Sequence, residues 1–91
     1  MLHARKDYDH IQDETGNIGE DEPVFLLRAK DRLAPATLDA WANLLVASGG
    51  DIDTAAHVRE WAIKMRDWQE ENGDKIPDVE KEDRRPAKEQ A

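Results

Sequence analysis

The stretch Pro35-Ala36-Thr37-Leu38-Asp39-Ala40-Trp41-Ala42-Asn43-Leu44-Leu45-Val46-Ala47-Ser48-Gly49-Gly50-Asp51-Ile52-Asp53 reads as one complete helix followed by the start of another. Pro35 suits a helix start, because its φ is preset and its missing N–H is one that the first turn leaves unbonded anyway. Leu38, Trp41, Leu45 and Ser48 then recur at helical spacing until Gly49-Gly50 stop the run. This predicts a helix of about four turns over 35–48. Asp51 and Asp53 are candidate N-caps for a second helix over 52–71, whose stripe reads Val58, Trp61, Met65 and Trp68 with Ala55 and Ala62 beside it. Asn72-Gly73 end it. So short a link favours an antiparallel hairpin, with Trp41 and Trp61 expected as its large core residues.

Upstream lies Glu22-Pro23-Val24-Phe25-Leu26-Leu27-Arg28-Ala29-Lys30-Asp31, with the only Phe and the densest apolar run of the chain. As a helix it would have acids before Pro23 and bases in its last turn, the right polarity for the macrodipole. As a strand over 23–31 it would begin apolar and end charged on each face. The shortness of Val-Phe-Leu-Leu, bounded by an acidic loop and a Pro, favours the strand. The fold class is then α+β, with all-α as the alternative. A buried strand must pair, and two partners offer themselves: residues 8–12, or the same segment of a second copy. Residues 1–22 read as a polar, irregular arm with Gly16 and Gly19 in its loop. Residues 1–74 form one small domain in this reading, and 75–91, with Pro77 and Pro86 among mixed charges, form a disordered tail.

At 91 residues a single core is marginally stabilising, and small chains commonly add disulfides, a metal or oligomerisation. Cys is absent, which removes disulfides, Cys-ligated zinc and a thiol nucleophile. No apolar run approaches the ~20 residues of a membrane span, and the first seven residues contain no hydrophobic signal segment, so the cytoplasm is the expected compartment. The formal charge of −8 is unevenly spread, with seven acids against two bases in residues 1–22 and two against three in residues 23–48. Such a chain repels nucleic acid unless its bases are concentrated, and Arg28, Lys30 and Arg32 are too few for a duplex footprint.

Catalytic patterns are nearly missing from the sequence. His3, His10 and His57 lack the helical spacing of a metal pair, and the plainer reading of His3 and His10 beside Asp7 and Asp9 is a solvated arm rather than a metal site. Asp51-Ile52-Asp53 lacks the later ligands of a calcium loop, and no Ser or Thr sits in a glycine elbow. No enzyme and no cofactor is expected. What remains is binding. Arg5, Tyr8 and Gln12 of the arm, with Arg28, Lys30 and Arg32 after the apolar run, could supply guanidinium forks for phosphate, a ring for stacking and an amide for a base edge. The bland alternative is that these bases balance an acidic surface.

The pattern Arg5-x-Asp7-Tyr8-x-x-Ile11-Gln12-Asp13, then Asp21-Glu22-Pro23-Val24-Phe25-Leu26-Leu27-Arg28, Asp31, Ala34-Pro35, Leu38 and Trp41-Ala42, resembles a group of small proteins encoded by bacteriophages and prophages. The resemblance spans about residues 5–70 and implies a context rather than an activity: an accessory protein in the host cytoplasm that acts on host machinery or host defence by binding. Two such roles are weighed. One sequesters a small anionic, nucleotide-type signal. The other is an acidic inhibitor that docks on a basic host surface, drawn there by charge. Either way a homo-oligomer is expected, a dimer or a higher even assembly. The second helix outruns the first, which leaves Met65 and Trp68 without cover, and the lone strand exposes Val24 and Leu26.

Overall fold

The computed structural model describes residues 1–77 and 83–85, and the chain divides into two compact units. The first joins Met1–Leu26 with C-terminal residues, of which 83–85 are described; the second is Leu27–Pro77. The sequence reading instead groups 1–74 and sets 75–91 apart. Within the second unit, Lys75 forms an isolated parallel bridge with Asp31. Within the first, Asp83, Arg84 and Arg85 bond to the backbone of residues 4–6. The rest of the expected tail, 78–82 and 86–91, lies outside the described residues.

The second unit is two helices packed on each other, α1 (Ala34–Ala47) and α2 (Ile52–Asn72). Asp31 prepares the first by accepting a hydrogen bond from Leu33 N–H at 2.7 Å through its carboxylate. Pro35 then occupies the first turn. At the other end Gly49 takes φ +81°, its N–H donates to the Val46 carbonyl, and Gly50 N–H donates to the Leu45 carbonyl at 2.8 Å. That pair of bonds is a Schellman motif, which satisfies carbonyls a helix end leaves open. Asp51 caps α2 and accepts from both the N–H (3.1 Å) and the hydroxyl (2.7 Å) of Thr54. Gly73, at φ +82°, closes it.

The Asp51 cap makes a pH prediction. Bonding to Thr54 holds its carboxyl below the usual value, so the unfolded chain takes up the proton first as pH falls. The cap's stabilisation is therefore present at neutral pH and lost as acidification passes below about pH 4. In Asp51→Ala the melting temperature should drop at pH 7, and the gap from the native chain should narrow by pH 2–3. Circular dichroism melts at the two pH values check this.

The core is built of smaller residues than the helical stripes predict. Among the described residues only Ala34, Ala42, Ala55 and Ala62 of the hydrophobics are buried, with no accessible surface, and no large side chain is fully buried. Pro35, Leu38, Ala42 and Leu45 of α1 and Ala55, Val58, Ala62, Met65 and Gln69 of α2 follow a seven-residue spacing along the seam. Trp41 and Trp61, expected inside, are 48% and 47% exposed. An alanine seam admits close helix approach and has no volume for an indole, so both rings stand at its edge.

The expected strand over 23–31 shrinks to β2 (Pro23–Val24), which pairs in parallel with β1 (Leu2–His3), Leu2 opposite Pro23 and His3 opposite Val24. The partner is the chain's start, not residues 8–12. Beyond Val24 the pairing ends after one more bond, from Ala4 N–H to the Val24 carbonyl at 3.3 Å, since Arg5 bridges to Arg84 and a 3-10 turn begins at Lys6. The later carbonyls are met otherwise: Gln69 donates through its amide nitrogen to Ala29 O (2.8 Å) and Asp31 O (3.0 Å). Each such bond contributes about 1 kcal/mol, so Gln69→Ala should lower the unfolding free energy by about 1–2 kcal/mol in a urea titration. A small sheet plus two packed helices is an α+β arrangement.

Candidate functional site

In the first unit, the arm is folded rather than solvated throughout. His3 is 4% exposed, and its Nε2–H donates to the Ile11 carbonyl at 2.5 Å. Arg85 donates to the His3 carbonyl (3.0 Å) and to the Asp9 carboxylate (2.9 Å), holding the Asp9 carboxyl below its usual range. A hollow of about 300 Å³ lies against Leu2, His3, Pro23, Val24, Phe25 and Arg85. His3 Nδ1 has no hydrogen-bond partner among the described residues. Buried histidine was not expected from the sequence; its only signal was the position of His3 between Leu2 and Ala4 in a segment that pairs.

Arg5 grips Asp7 with two hydrogen bonds, Nε to Oδ1 at 2.9 Å and Nη2 to Oδ2 at 2.6 Å, which push the guanidinium pKa further up. The same guanidinium lies 4.9 Å from the centre of the Tyr8 ring. Gln12 is exposed and donates through its amide nitrogen to the Asp9 carbonyl. Of the three arm residues proposed for an anionic ligand, Arg5 and Tyr8 are in contact, but Arg5 already holds a carboxylate. The other three belong to the second unit. Arg28 and Lys30 are exposed, and Arg32 pairs with Asp74 at 2.8 Å.

Four further acids of the arm stand outward. Asp13 folds its loop by accepting from the N–H and hydroxyl of Thr15 and from Ile18 N–H, which holds its carboxyl low. Glu14, Glu20, Asp21 and Glu22 are exposed around it. The N-terminal ammonium donates to the carbonyls of Gly19 and Glu20 at 2.6 and 2.8 Å, which fixes the loop that displays those carboxylates.

The helix pair in the second unit has two unlike flanks. On one, Arg66 reaches Asp39 (2.6 Å) and Arg59 reaches Asn43 (2.8 Å) across the seam. At about 100° per residue, Trp61 and Trp68 lie on the opposite side of the α2 seam from Arg59 and Arg66, and Trp41 opposite Asp39 and Asn43 on α1. The indoles therefore share the other flank. There Leu27, Thr37, Leu38, Trp41 and Val58 line a cleft of about 270 Å³. Trp68 is 41% and Leu44 66% exposed. Lys64 stacks its ammonium 4.6 Å from the Trp61 ring centre.

Of the residues expected at an oligomer interface, Trp68 is on this flank, while Met65 is half-buried in the seam beside it. Val24 and Leu26 belong to the first unit, Val24 half-buried in the small sheet and Leu26 exposed. Among the described residues no group of three or more His, Asp or Glu is placed to hold a metal ion, and no helix is long and apolar enough to cross a membrane. No protein-family model matches the chain, and neither a curated protein nor a solved structure matches it.

Proposed function

We propose that the chain is a non-catalytic binding protein whose first unit docks, through its displayed acids, on a basic surface of another protein. The observation that carries this reading is the folding of residues 13–22 around Asp13, which leaves Glu14, Glu20, Asp21 and Glu22 facing solvent. Seven acids against two bases in residues 1–22 give that unit a strong negative field, which speeds encounter with a positive partner. A host cytoplasmic protein is the expected target in the phage setting that the resemblance suggests. The helical unit serves as the scaffold. In this reading α1 and α2 run antiparallel, supported by the order of their cross-links: Asp39 with the later Arg66, Asn43 with the earlier Arg59.

The test is retention of host lysate proteins by the immobilised full chain and by a variant with Glu14→Gln, Glu20→Gln, Asp21→Asn and Glu22→Gln. Basic proteins should be retained at 50 mM salt, released near 500 mM and lost with the variant, because exposed charges are screened within about 10 Å at 0.1 M salt. Retention indifferent to salt and to the four substitutions refutes the docking surface. A second reading, capture of a small anion, is supported by the Arg5 guanidinium stacked over Tyr8. It requires a ligand able to displace Asp7 from Arg5. Isothermal titration with nucleotides and cyclic dinucleotides decides it, and absence of micromolar binding across the panel rules it out.

A further inference from the structure

We infer that the tryptophan-bearing flank of the helix pair is a self-recognition face, covered by the same flank of a second copy to make a four-helix assembly. The flank holds Trp41, Leu44, Trp61 and Trp68, each at least two-fifths exposed, while the buried core of its own unit contains nothing larger than alanine and proline. The three indoles of the chain and Leu44 are thus gathered on one outer face, while the exposed aliphatic side chains Leu33, Val46, Ile52 and Ile63 lie elsewhere on the unit. Scattered exposed apolar residues are ordinary; a contiguous set on one flank marks an interface.

Charge permits a second copy as the occupant. Residues 27–77 carry nine acids and seven bases, a net charge of −2, whereas residues 1–26 carry seven acids and two bases, a net of −5. The helical unit is thus the part of the chain that two copies can bring together against little repulsion. On α1 the flank positions Thr37, Trp41, Leu44 and Ser48 are uncharged, and on α2 the indoles are bordered by Lys64 as well as by Glu60 and Glu71. An apolar centre with a rim of both signs can face itself about a two-fold axis.

The area fits too. Helices of 14 and 21 residues are about 21 and 31 Å long and together about 20 Å wide, which offers roughly 500 Å² of projected face. The three indoles alone leave roughly 200–350 Å² of accessible surface per copy. Specific pairs bury about 600–1,000 Å² per partner, a range that an interdigitating face of this outline approaches. Helices packed in this way are the geometry of a bundle, and the alanine seam keeps each pair slim enough to stack.

The test uses the full chain. Light scattering should give about 21 kDa at 100 μM, twice the 10.4 kDa of one copy, with dissociation on dilution. Trp61→Glu with Trp68→Glu should give 10.4 kDa with helical circular dichroism retained, while Ile63→Glu, on the far side of α2, should leave the mass at about 21 kDa. A native mass of 10.4 kDa from 1 to 100 μM overturns the inference, as does a dimer that survives the double substitution. Should the double variant lose its helices, iodide quenching of the native chain decides. Protection of the indoles that falls several-fold on dilution supports the face, and quenching independent of concentration overturns it.

Discussion

Ala62→Leu is expected to lower the stability of the chain by about 2–3 kcal/mol, and Ala42→Leu with Ala62→Leu to prevent folding at 25 °C. Both alanines lie in the seam with no accessible surface. Overpacking a filled interior costs about 1–3 kcal/mol at a typical site, because neighbours must leave their rotamers or the backbone must shift. Here the fully buried seam residues are alanines, which have no rotamer to change, so the helices themselves must separate, which puts the cost near the top of that range. A chain of this size has on the order of 5–14 kcal/mol in all, and it spreads that over two units. The seam substitutions should also strip the Asp39–Arg66 and Asn43–Arg59 cross-links, which depend on the spacing of the helices. Ala40→Leu and Ala56→Leu, at exposed helix positions, are the controls and should change stability by about 0.5 kcal/mol or less. Urea titrations followed at 222 nm measure all four. An Ala62→Leu midpoint equal to the native one would show that the seam is not the close contact described.

Gly50→Ala should cost more than Gly49→Ala, although Gly49 is the residue with positive φ. At Gly49 the penalty is conformational: φ is +81° and an added methyl meets open space, so about 1 kcal/mol is expected. At Gly50 a Cβ would stand 2.3 Å from Leu45 Cδ1, 2.7 Å from its Cγ and 2.9 Å from its carbonyl oxygen. The side chain can yield only by leaving the seam. That carbonyl is also the acceptor of the Gly50 N–H at 2.8 Å, so the backbone cannot retreat without loosening the Schellman bond that ends α1. Overpacking plus a weakened hydrogen bond gives about 2–3 kcal/mol. Thermal melts of the two variants give the order directly. Equal midpoints would mean that Leu45 repacks freely and that the link is looser than its geometry implies.

What could be read without the structure was local. Pro35, the Gly49-Gly50 pair, the Asp51 cap and Gly73 act on their immediate neighbours, so α1 and α2 begin and end within a residue or so of where the pattern puts them. The two helices packing on each other followed from the short link, and the acid excess at the N-terminus is a count of residues. Periodicity also placed Trp41, Trp61, Met65 and Trp68 near the seam, but it gives an angle around one helix and not the distance to the next. Which residues close the contact depends on what both helices can accept together. Alanine on each side allowed a close approach, and that turned the indoles out to one flank.

The strand failed for a related reason. Val24-Phe25-Leu26-Leu27 has strand character, but a strand's length is set by its partner, and Leu2–His3 offers two positions. Gln69, some forty residues away, takes over the carbonyls of Ala29 and Asp31, a contact with no trace in local pattern. Likewise Arg85 holds Asp9, and His3 is buried, because segments distant in sequence meet there. The sequence by itself determined the helices, their caps and the placement of charge, since each depends on neighbours along the chain. Only the tertiary structure decided which apolar residues are core and which are surface, because burial is a property of two elements meeting rather than of either alone.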